Sequence, residues 1–187
     1  MGAQRWSQPL IVQSVTDGPT LTAAAAASCI PTPNKITLPN NYWEVGRQWR
    51  VSLHGRISTV VTTPGTARFD LRIGAVVAFD SLAIALDAVA GYTTVPWWLE
   101  IMLTCRAAGA GTVTQLLGVG KWTSPNIAGA IAGAPKGSLT ALLPWNAAPA
   151  LGTGFDNTLA NTVDMFFTQT VATGSLTVHG YQIEELN

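Results

Sequence analysis

The chain contains few charged residues. Asp, Glu, Lys and Arg make up 11% of its 187 residues, ten basic against ten acidic, so the formal net charge is zero. Typical soluble domains carry about 25% charged residues. Disordered chains combine low hydrophobicity with high net charge, whereas 48% of these residues are hydrophobic. The composition therefore excludes a disordered chain. Polar uncharged side chains could keep the surface of such a charge-poor protein hydrated, but the favoured interpretation is that other subunits cover much of it.

Cysteines and long apolar runs are also scarce. Cys29 and Cys105 are the two cysteines, and two do not make a disulfide framework in a chain of this length. We expect free, buried thiols, in keeping with assembly in a reducing cytoplasm. The longest uncharged apolar run, LTAAAAASCI, is about half the length of a membrane span. The N-terminus, MGAQRWSQPL, has no signal-peptide pattern. A soluble protein without a membrane partner is expected.

Most of the chain alternates apolar and polar residues with a period of two. In RQWRVSLHGRIS, Val51 and Leu53 fall on one face, while Ser52 and His54 fall on the other. Such alternation is typical of a half-buried strand. It recurs in ARFDLRI, WWLEIMLTCR, TVTQLLGVGKW, VDMFFTQTV and LTVHGYQIEEL, with turn sequences such as TTPGT and AAGAG between them. The pattern predicts an all-β sandwich or barrel, with strand pairs joined at TTPGT, at AAGAG and at ATGS.

One domain is expected. Residues 1–45 are predicted to be an N-terminal arm and edge strand, because prolines interrupt them, and residues 46–187 form the β-sandwich. Residues 126–154 are rich in Gly, Ala and Pro and almost uncharged. We predict one short strand there, around Leu139 to Leu143, flanked by loops that pack on a neighbouring subunit.

Both histidines of the chain, His54 and His179, precede a glycine in an alternating run. Both are predicted to point outward. The apolar face after His179 is one residue out of phase, which predicts a β-bulge at Gly180. The run around Gly55 stays in phase, so Gly55 is expected to mark a close backbone approach. Two histidines do not complete a catalytic zinc site, and surface polar residues are the favoured interpretation.

Motifs for catalysis and cofactor binding are missing from the chain. The stretch LGVGKWTS fails as a phosphate-binding loop, because Gln115 and Trp122 stand where the pattern needs Gly and Ser or Thr. There is no G-x-S-x-G elbow. Glu100 and Asp164 are conceivable as paired carboxylates of a polysaccharide-cleaving enzyme, but are better explained as solvated partners of arginines. We expect no enzyme, no cofactor and no metal.

Arginine is concentrated in the predicted first hairpin, at Arg47, Arg50, Arg56, Arg68 and Arg72. Nucleic-acid binding usually requires a clear basic excess, which the neutral net charge does not supply. An arginine face that meets an acidic patch on a protein partner is favoured, with a solvated sheet face as the alternative.

Seven tryptophans occur in the chain. Trp49 and Trp97 fall on predicted core faces. Four others are predicted near turns or on outer faces: Trp43, Trp98, Trp122 and Trp145. Aromatic side chains there could stack on sugars or anchor subunit contacts. Anchoring of subunit contacts fits the charge-poor composition better.

Two stretches, ITLPNNYWEVGRQWRVSLHGRIST and GSLTVHGYQIEELN, resemble the small jelly-roll virion proteins of tailed bacteriophages. In the first, a strand ends in Leu-Pro, an Asn-rich turn and an aromatic residue follow, and VGR leads into a long alternating strand. The resemblance implies a jelly-roll fold and a structural role. The expected protein is a capsid decoration (cement) protein, usually trimeric, or a related minor tail component.

We therefore predict a single-domain antiparallel β-sandwich of jelly-roll type. We expect a homotrimer that binds the major capsid protein on the capsid surface of the virion and stabilises the head. Assembly is expected in the host cytoplasm. The alternative is a tail or baseplate module that binds host-surface glycan through exposed tryptophans. Subunit contacts are assigned to Trp98, Trp122 and Trp145, together with the segment from Ile127 to Pro149. The residues assigned to the capsid-facing surface are Arg50, Arg56, Arg68 and Arg72.

Overall fold

Two antiparallel sheets contain the long strands of the computed structural model, which describes residues 10–128 and 140–186. Sheet A contains, from edge to edge, β1 (Leu10–Gln13), β12 (Ser175–Glu185), β4 (Gln48–Thr59), β8 (Tyr92–Ala107), β9 (Gln115–Thr123) and β10 (Thr140–Leu143). Sheet B contains β2 (Ala26–Ser28), β11 (Asn161–Gln169), β5 (Thr66–Ile73) and β6 (Val76–Asp80). Two short strands complete it, β3 (Thr37–Leu38) beside β11 and β7 (Ile84–Ala85) beside β5.

The strand order is that of a jelly roll. Strands β1-β12-β4-β8 form one four-stranded set and β2-β11-β5-β6 the other. The chain crosses from one sheet to the other between successive members of these sets, except from β5 to β6, which pair within sheet B, and the last strand lies beside the first. Strands β9 and β10 then extend sheet A beyond β8. The predicted antiparallel β-sandwich of jelly-roll type is confirmed.

The prediction of a first hairpin at TTPGT was wrong. Strand β4 lies in sheet A between β12 and β8, whereas β5 lies in sheet B between β11 and β6. The turn therefore crosses from one sheet to the other. Alternation shows which face of a strand is buried, but it does not show which strand pairs with it. The hairpin at AAGAG is confirmed, because β8 and β9 pair directly. The pair predicted at ATGS was wrong, because β11 lies in sheet B and β12 in sheet A.

The inward faces of the two sheets meet in one core. Phe69 lies at its centre, with ring-centroid distances of 5.6 Å to Trp97, 5.4 Å to Trp122 and 5.2 Å to Phe167. Cys29 and Cys105 are free and buried, as expected, and burial raises the pKa of both thiols. Aromatic side chains from both sheets thus pack against one another at the centre of the core.

The described part of the N-terminal segment supplies an edge strand to each sheet, β1 to sheet A and β2 to sheet B. Between them and β4 lie a short 3₁₀ helix, Thr32–Asn34, and β3. The strand predicted near Leu139 to Leu143 is confirmed as β10, while residues 129–139 of that segment lie outside the described residues. Over the described ranges, no helix is long and apolar enough to cross a membrane.

Candidate functional site

A groove crosses the outer face of sheet A over β12, β4 and β8, and we refer to it as the polar groove. Its volume is about 380 Å³. Its lining includes two aromatic or imidazole rings that lie side by side and several charged or amide side chains: His54, Trp98, Arg50, Glu100, Gln182 and Glu184. Ser52 and Gly180 also line it and leave space between these larger groups.

The register of the three strands determines which side chains are neighbours. Arg50 lies opposite Glu184 on one side and Met102 on the other. The next outward position, Ser52, lies between Gln182 and Glu100. Because outward residues recur every second position, directly paired outward residues form rows across the sheet. Three such rows lie under the polar groove: Glu184–Arg50–Met102, Gln182–Ser52–Glu100 and Gly180–His54–Trp98.

A β-bulge shapes one end of the groove. The register of β12 against β4 shifts between Val178 and Gly180, so that His179 is the extra residue. The bulge predicted at Gly180 is thus confirmed, and both histidines are exposed, as predicted. A Cβ atom at position 180 would lie 2.1 Å from Cε1 of His54, so the imidazole extends over the glycine.

His54 also stacks on Trp98. The two rings have a centroid distance of 5.1 Å and an interplanar angle of 9°. Trp98 itself is 46% exposed. The imidazole, placed over Gly180 on β12 and against the indole on β8, covers part of that indole and restricts its orientation. The result is an ordered aromatic surface at the edge of the polar groove.

Ion pairs neutralise the charges of the polar groove. Glu184 accepts a hydrogen bond of 2.8 Å from Nε2 of Gln182 and lies 3.3 Å from Nη1 of Arg50. Glu100 lies 3.5 Å from Nζ of Lys121 on β9. These pairs are partly exposed, so they add little to stability but fix where donors and acceptors stand.

A second groove, lined mostly by apolar side chains and called here the apolar groove, adjoins the first at His54 and Trp98. Its volume is about 390 Å³, and Pro96, Trp97 and Pro125 also line it. A further apolar surface lies on the other side of Glu100, over β8, β9 and β10. The outer face of sheet A thus changes from polar over β12 and β4 to apolar over β9 and β10.

The arginines assigned to a capsid-facing surface do not share a face. Arg50 and Arg56 lie on β4 in sheet A, whereas Arg68 and Arg72 lie on β5 in sheet B. The interpretation of all four as one basic surface was wrong, because β4 and β5 do not form a hairpin. Contact of any of these arginines with a shell stays a prediction.

An ion-pair network occupies the arginines of sheet B. Arg68 lies 3.0 Å from Asp70 and 2.7 Å from Asp80, and Arg72 lies 3.4 Å from Asp70. Burial raises the pKa of the Asp70 carboxyl, and the Arg68 guanidinium opposes that shift. Arg72 also lies 3.7 Å above the ring of Phe166. The acids lie close in space to the arginines, so this face has no large basic excess.

Only some of the predictions for the tryptophans are confirmed. Trp98 is exposed as predicted, and Trp145 is half-buried. Trp43 lies between two turns, as predicted, but its side chain is buried in the core. Trp122 was placed wrongly, because it points inward from β9 and is fully buried. On β9 the inward positions before Trp122 are Gly118 and Gly120, and these glycines interrupt the apolar alternation that would have revealed its phase.

The subunit contacts need a related correction. Trp122 and Ile127 are fully buried inside the chain, so neither is available to a second subunit in this conformation. Pro149 is exposed and lines the apolar surface over β8, β9 and β10. A role for Trp98, Trp145 and Pro149 in subunit contacts stays a prediction.

The carboxylates considered for an enzyme lie far apart in the fold. Glu100 points outward from β8 in sheet A, and Asp164 points outward from β11 in sheet B, where it pairs with Lys35. They therefore do not flank a common cleft. Over residues 10–128 and 140–186, no group of three or more His, Cys, Asp or Glu side chains is arranged to hold a metal ion.

Comparisons with known proteins add little. No known family matches the chain, and no curated protein matches it. Among solved structures, the CBM2 module of the evolved Dit protein of Lactobacillus casei BL23 phage J-1 is similar, with a TM-score of 0.31 and 9% sequence identity. The similarity covers 97% of this chain and 80% of that one. At this level it carries no argument about function.

Proposed function

We propose that the protein is a saccharide-binding jelly-roll module of a phage virion and that the polar groove is its binding site. One observation carries the proposal. An exposed tryptophan, Trp98, stands on an open sheet face beside carboxylate, guanidinium, amide and hydroxyl groups. A pyranose presents an apolar C–H face that stacks on an indole, while its hydroxyl groups both donate and accept hydrogen bonds.

The charge balance favours an uncharged saccharide. Arg50 and Glu184 neutralise each other at one side of the polar groove, and Lys121 neutralises Glu100 at the other. A site for sialic or uronic acids would present an unpaired cation, commonly an arginine, to the sugar carboxylate. Paired side chains instead offer a donor and an acceptor close together, which suits vicinal hydroxyl groups.

The proposed role is binding and not catalysis. Glu100 and Glu184 are each held by a neighbouring cation. Each carboxylate therefore stands in the groove as a hydrogen-bond acceptor whose position is fixed by its partner. Placement in a virion is supported by the sequence resemblance to phage jelly-roll proteins. In a tail or baseplate, such a groove would hold host-surface glycan.

The test is an array of neutral and acidic oligosaccharides, followed by calorimetric titration of those that bind. We expect the neutral ones to bind, and Gln182→Ala to weaken binding about fivefold, because one hydrogen bond contributes about 1 kcal/mol. Thr168→Ala, on the outer face of sheet B, is the matched control and should not change the affinity. Failure of every oligosaccharide to bind would overturn the proposal.

A second function is favoured by the apolar end of sheet A. Val119 is 41% exposed and Leu142 is 74% exposed, and both line the apolar surface over β8, β9 and β10. We propose that this surface joins copies of the chain into a homotrimer, as expected of a capsid decoration protein that binds the major capsid protein. Apart from Glu100, which lines both, the polar groove and this apolar surface have separate linings, so saccharide binding and trimer formation are compatible.

Leu142→Lys tests the trimer. We expect the wild-type protein to sediment as a trimer and this variant as a monomer, because a buried unpaired charge opposes association. Val89→Lys, at an equally exposed apolar position in the loop before β8, is the matched control and should remain trimeric. Wild-type protein that stays monomeric up to millimolar concentration would contradict the assignment.

A further inference from the structure

The polar and apolar grooves meet at Trp98 and His54, and both side chains line both grooves. A ligand that stacks on Trp98 in the polar groove therefore lies next to the apolar groove. The apolar groove has almost the same volume, about 390 Å³ against about 380 Å³. A substituent on a bound sugar could enter it without displacing any side chain of the polar groove.

The apolar groove offers little to a sugar hydroxyl. The hydroxyl of Thr123 shares a hydrogen bond of 3.1 Å with the hydroxyl of Thr140 on β10. The hydroxyl of Ser124 is buried and donates to the side-chain oxygen of Asn126. Proline and tryptophan side chains form most of the remaining lining. A methyl group placed against the proline and tryptophan side chains would gain from burial, whereas a hydroxyl would find hydrogen-bond partners only at the Thr123 end of the groove.

We propose, on the basis of the saccharide-binding role above, that the ligand is a sugar bearing a methyl group beside its ring. The pyranose lies in the polar groove against Trp98, and the methyl group lies in the apolar groove. Two kinds of sugar have this chemistry. In an N-acetylhexosamine the methyl belongs to the acetamido group, and in a 6-deoxyhexose it replaces the hydroxymethyl group.

Paired ligands test the proposal in two arms. The first compares N-acetylglucosamine oligomers with glucose oligomers of equal length, which differ at C2. The second compares L-fucose with L-galactose, which differ at C6. We expect the methyl-bearing member of one pair to bind about tenfold more tightly, the range found when a hydrophobic pocket gains or loses a small apolar group. The arm that shows the preference identifies the kind of sugar.

A variant should remove the preference without removing the site. Thr123→Glu places a carboxylate opposite Trp98, since the two residues are direct cross-strand partners. We expect the tenfold preference to fall to nearly one while the methyl-free ligand binds as before. Thr168→Glu, the same change on the outer face of sheet B, is the control. Pro96→Asp, at an exposed position in the apolar groove, provides a second placement of the charge if Thr123→Glu does not fold.

The outcomes separate this inference from the proposed function. Equal affinity within both pairs, with binding still dependent on Trp98, would overturn the methyl subsite and leave the saccharide site standing. Binding by none of the four ligands, nor by any oligosaccharide on the array, would overturn both. A preference that survives both Thr123→Glu and Pro96→Asp would also contradict the assignment of the apolar groove.

Discussion

Gly55→Ala is expected to lower the free energy of unfolding by about 3 kcal/mol, the upper part of the range for a single substitution that overpacks a core. A Cβ atom at this position would lie 1.9 Å from the carbonyl oxygen of Thr177 and 3.0 Å from Cα of Val178. Both are backbone atoms of β12, so no rotation of a side chain relieves the overlap. β4 is held between β12 and β8 in sheet A. To make room for the added Cβ atom, β12 therefore has to shift.

Gly180→Ala is the matched control, because the same dipeptide, His-Gly, occurs at both sites. At position 180 the added Cβ would meet the end of the His54 side chain, which is exposed and can rotate away. We expect Gly180→Ala to lower the free energy of unfolding, measured with urea, by less than about 1 kcal/mol, with β4 and β12 intact. Equal losses of unfolding free energy for the two variants would show that the close backbone approach at Gly55 is not the cause of the destabilisation.

Trp98→Ala is expected to reduce saccharide affinity by about tenfold to a hundredfold, in line with about 1–3 kcal/mol for removal of an aromatic stacking partner. The fold should persist, because Trp98 points outward and is 46% exposed. The loss is expected to be large because the indole is ordered by His54 before any ligand binds, so little conformational entropy is lost on binding.

Titration calorimetry on the folded variant measures this effect. Trp98→Phe should retain part of the affinity, since a smaller aromatic ring can still stack on a sugar. Leu159→Ala, another exposed apolar side chain on the loop before β11, should bind as the wild type does. If Trp98→Ala bound the same oligosaccharides with unchanged affinity, Trp98 would have no part in the site.

The sequence predicts local features of this fold well. The phase of the alternating run around His179 predicts the bulge at Gly180, because one residue out of step with a buried face has to be accommodated by the backbone. The unbroken phase around Gly55 predicts a close backbone approach, and Thr177 supplies it. Both predictions depend on residues within a few positions of one another, where strand geometry is fixed.

Pairings between distant strands could not be predicted in the same way. Gly55 lies opposite Val178, and only the jelly-roll arrangement, in which the first and last core strands are antiparallel neighbours, predicts that these two His-Gly strands pair. For that reason a turn between sheets was interpreted as a hairpin, and arginines on two faces were interpreted as one surface. The jelly-roll topology itself was implied only by resemblance to other proteins.

The polar groove could not be predicted from the sequence for the same reason. Ser52, Glu100 and Gln182 come from three strands and become neighbours only through register. Each alone has the character of an ordinary outward polar residue. Trp98 is the exception, because an outward tryptophan next to a core tryptophan is visible in the alternation of β8.

The most direct test of the saccharide site is a titration of the ¹⁵N-labelled protein with a neutral oligosaccharide that binds on the array, followed by NMR. The amides of Ser52 and Gln182 and the indole N–H of Trp98 are expected to shift together and to saturate at one dissociation constant, while the amides of β5 and β11 stay unchanged. Shifts confined to the outer face of sheet B, around Arg68 and Phe166, would contradict the assignment of the polar groove.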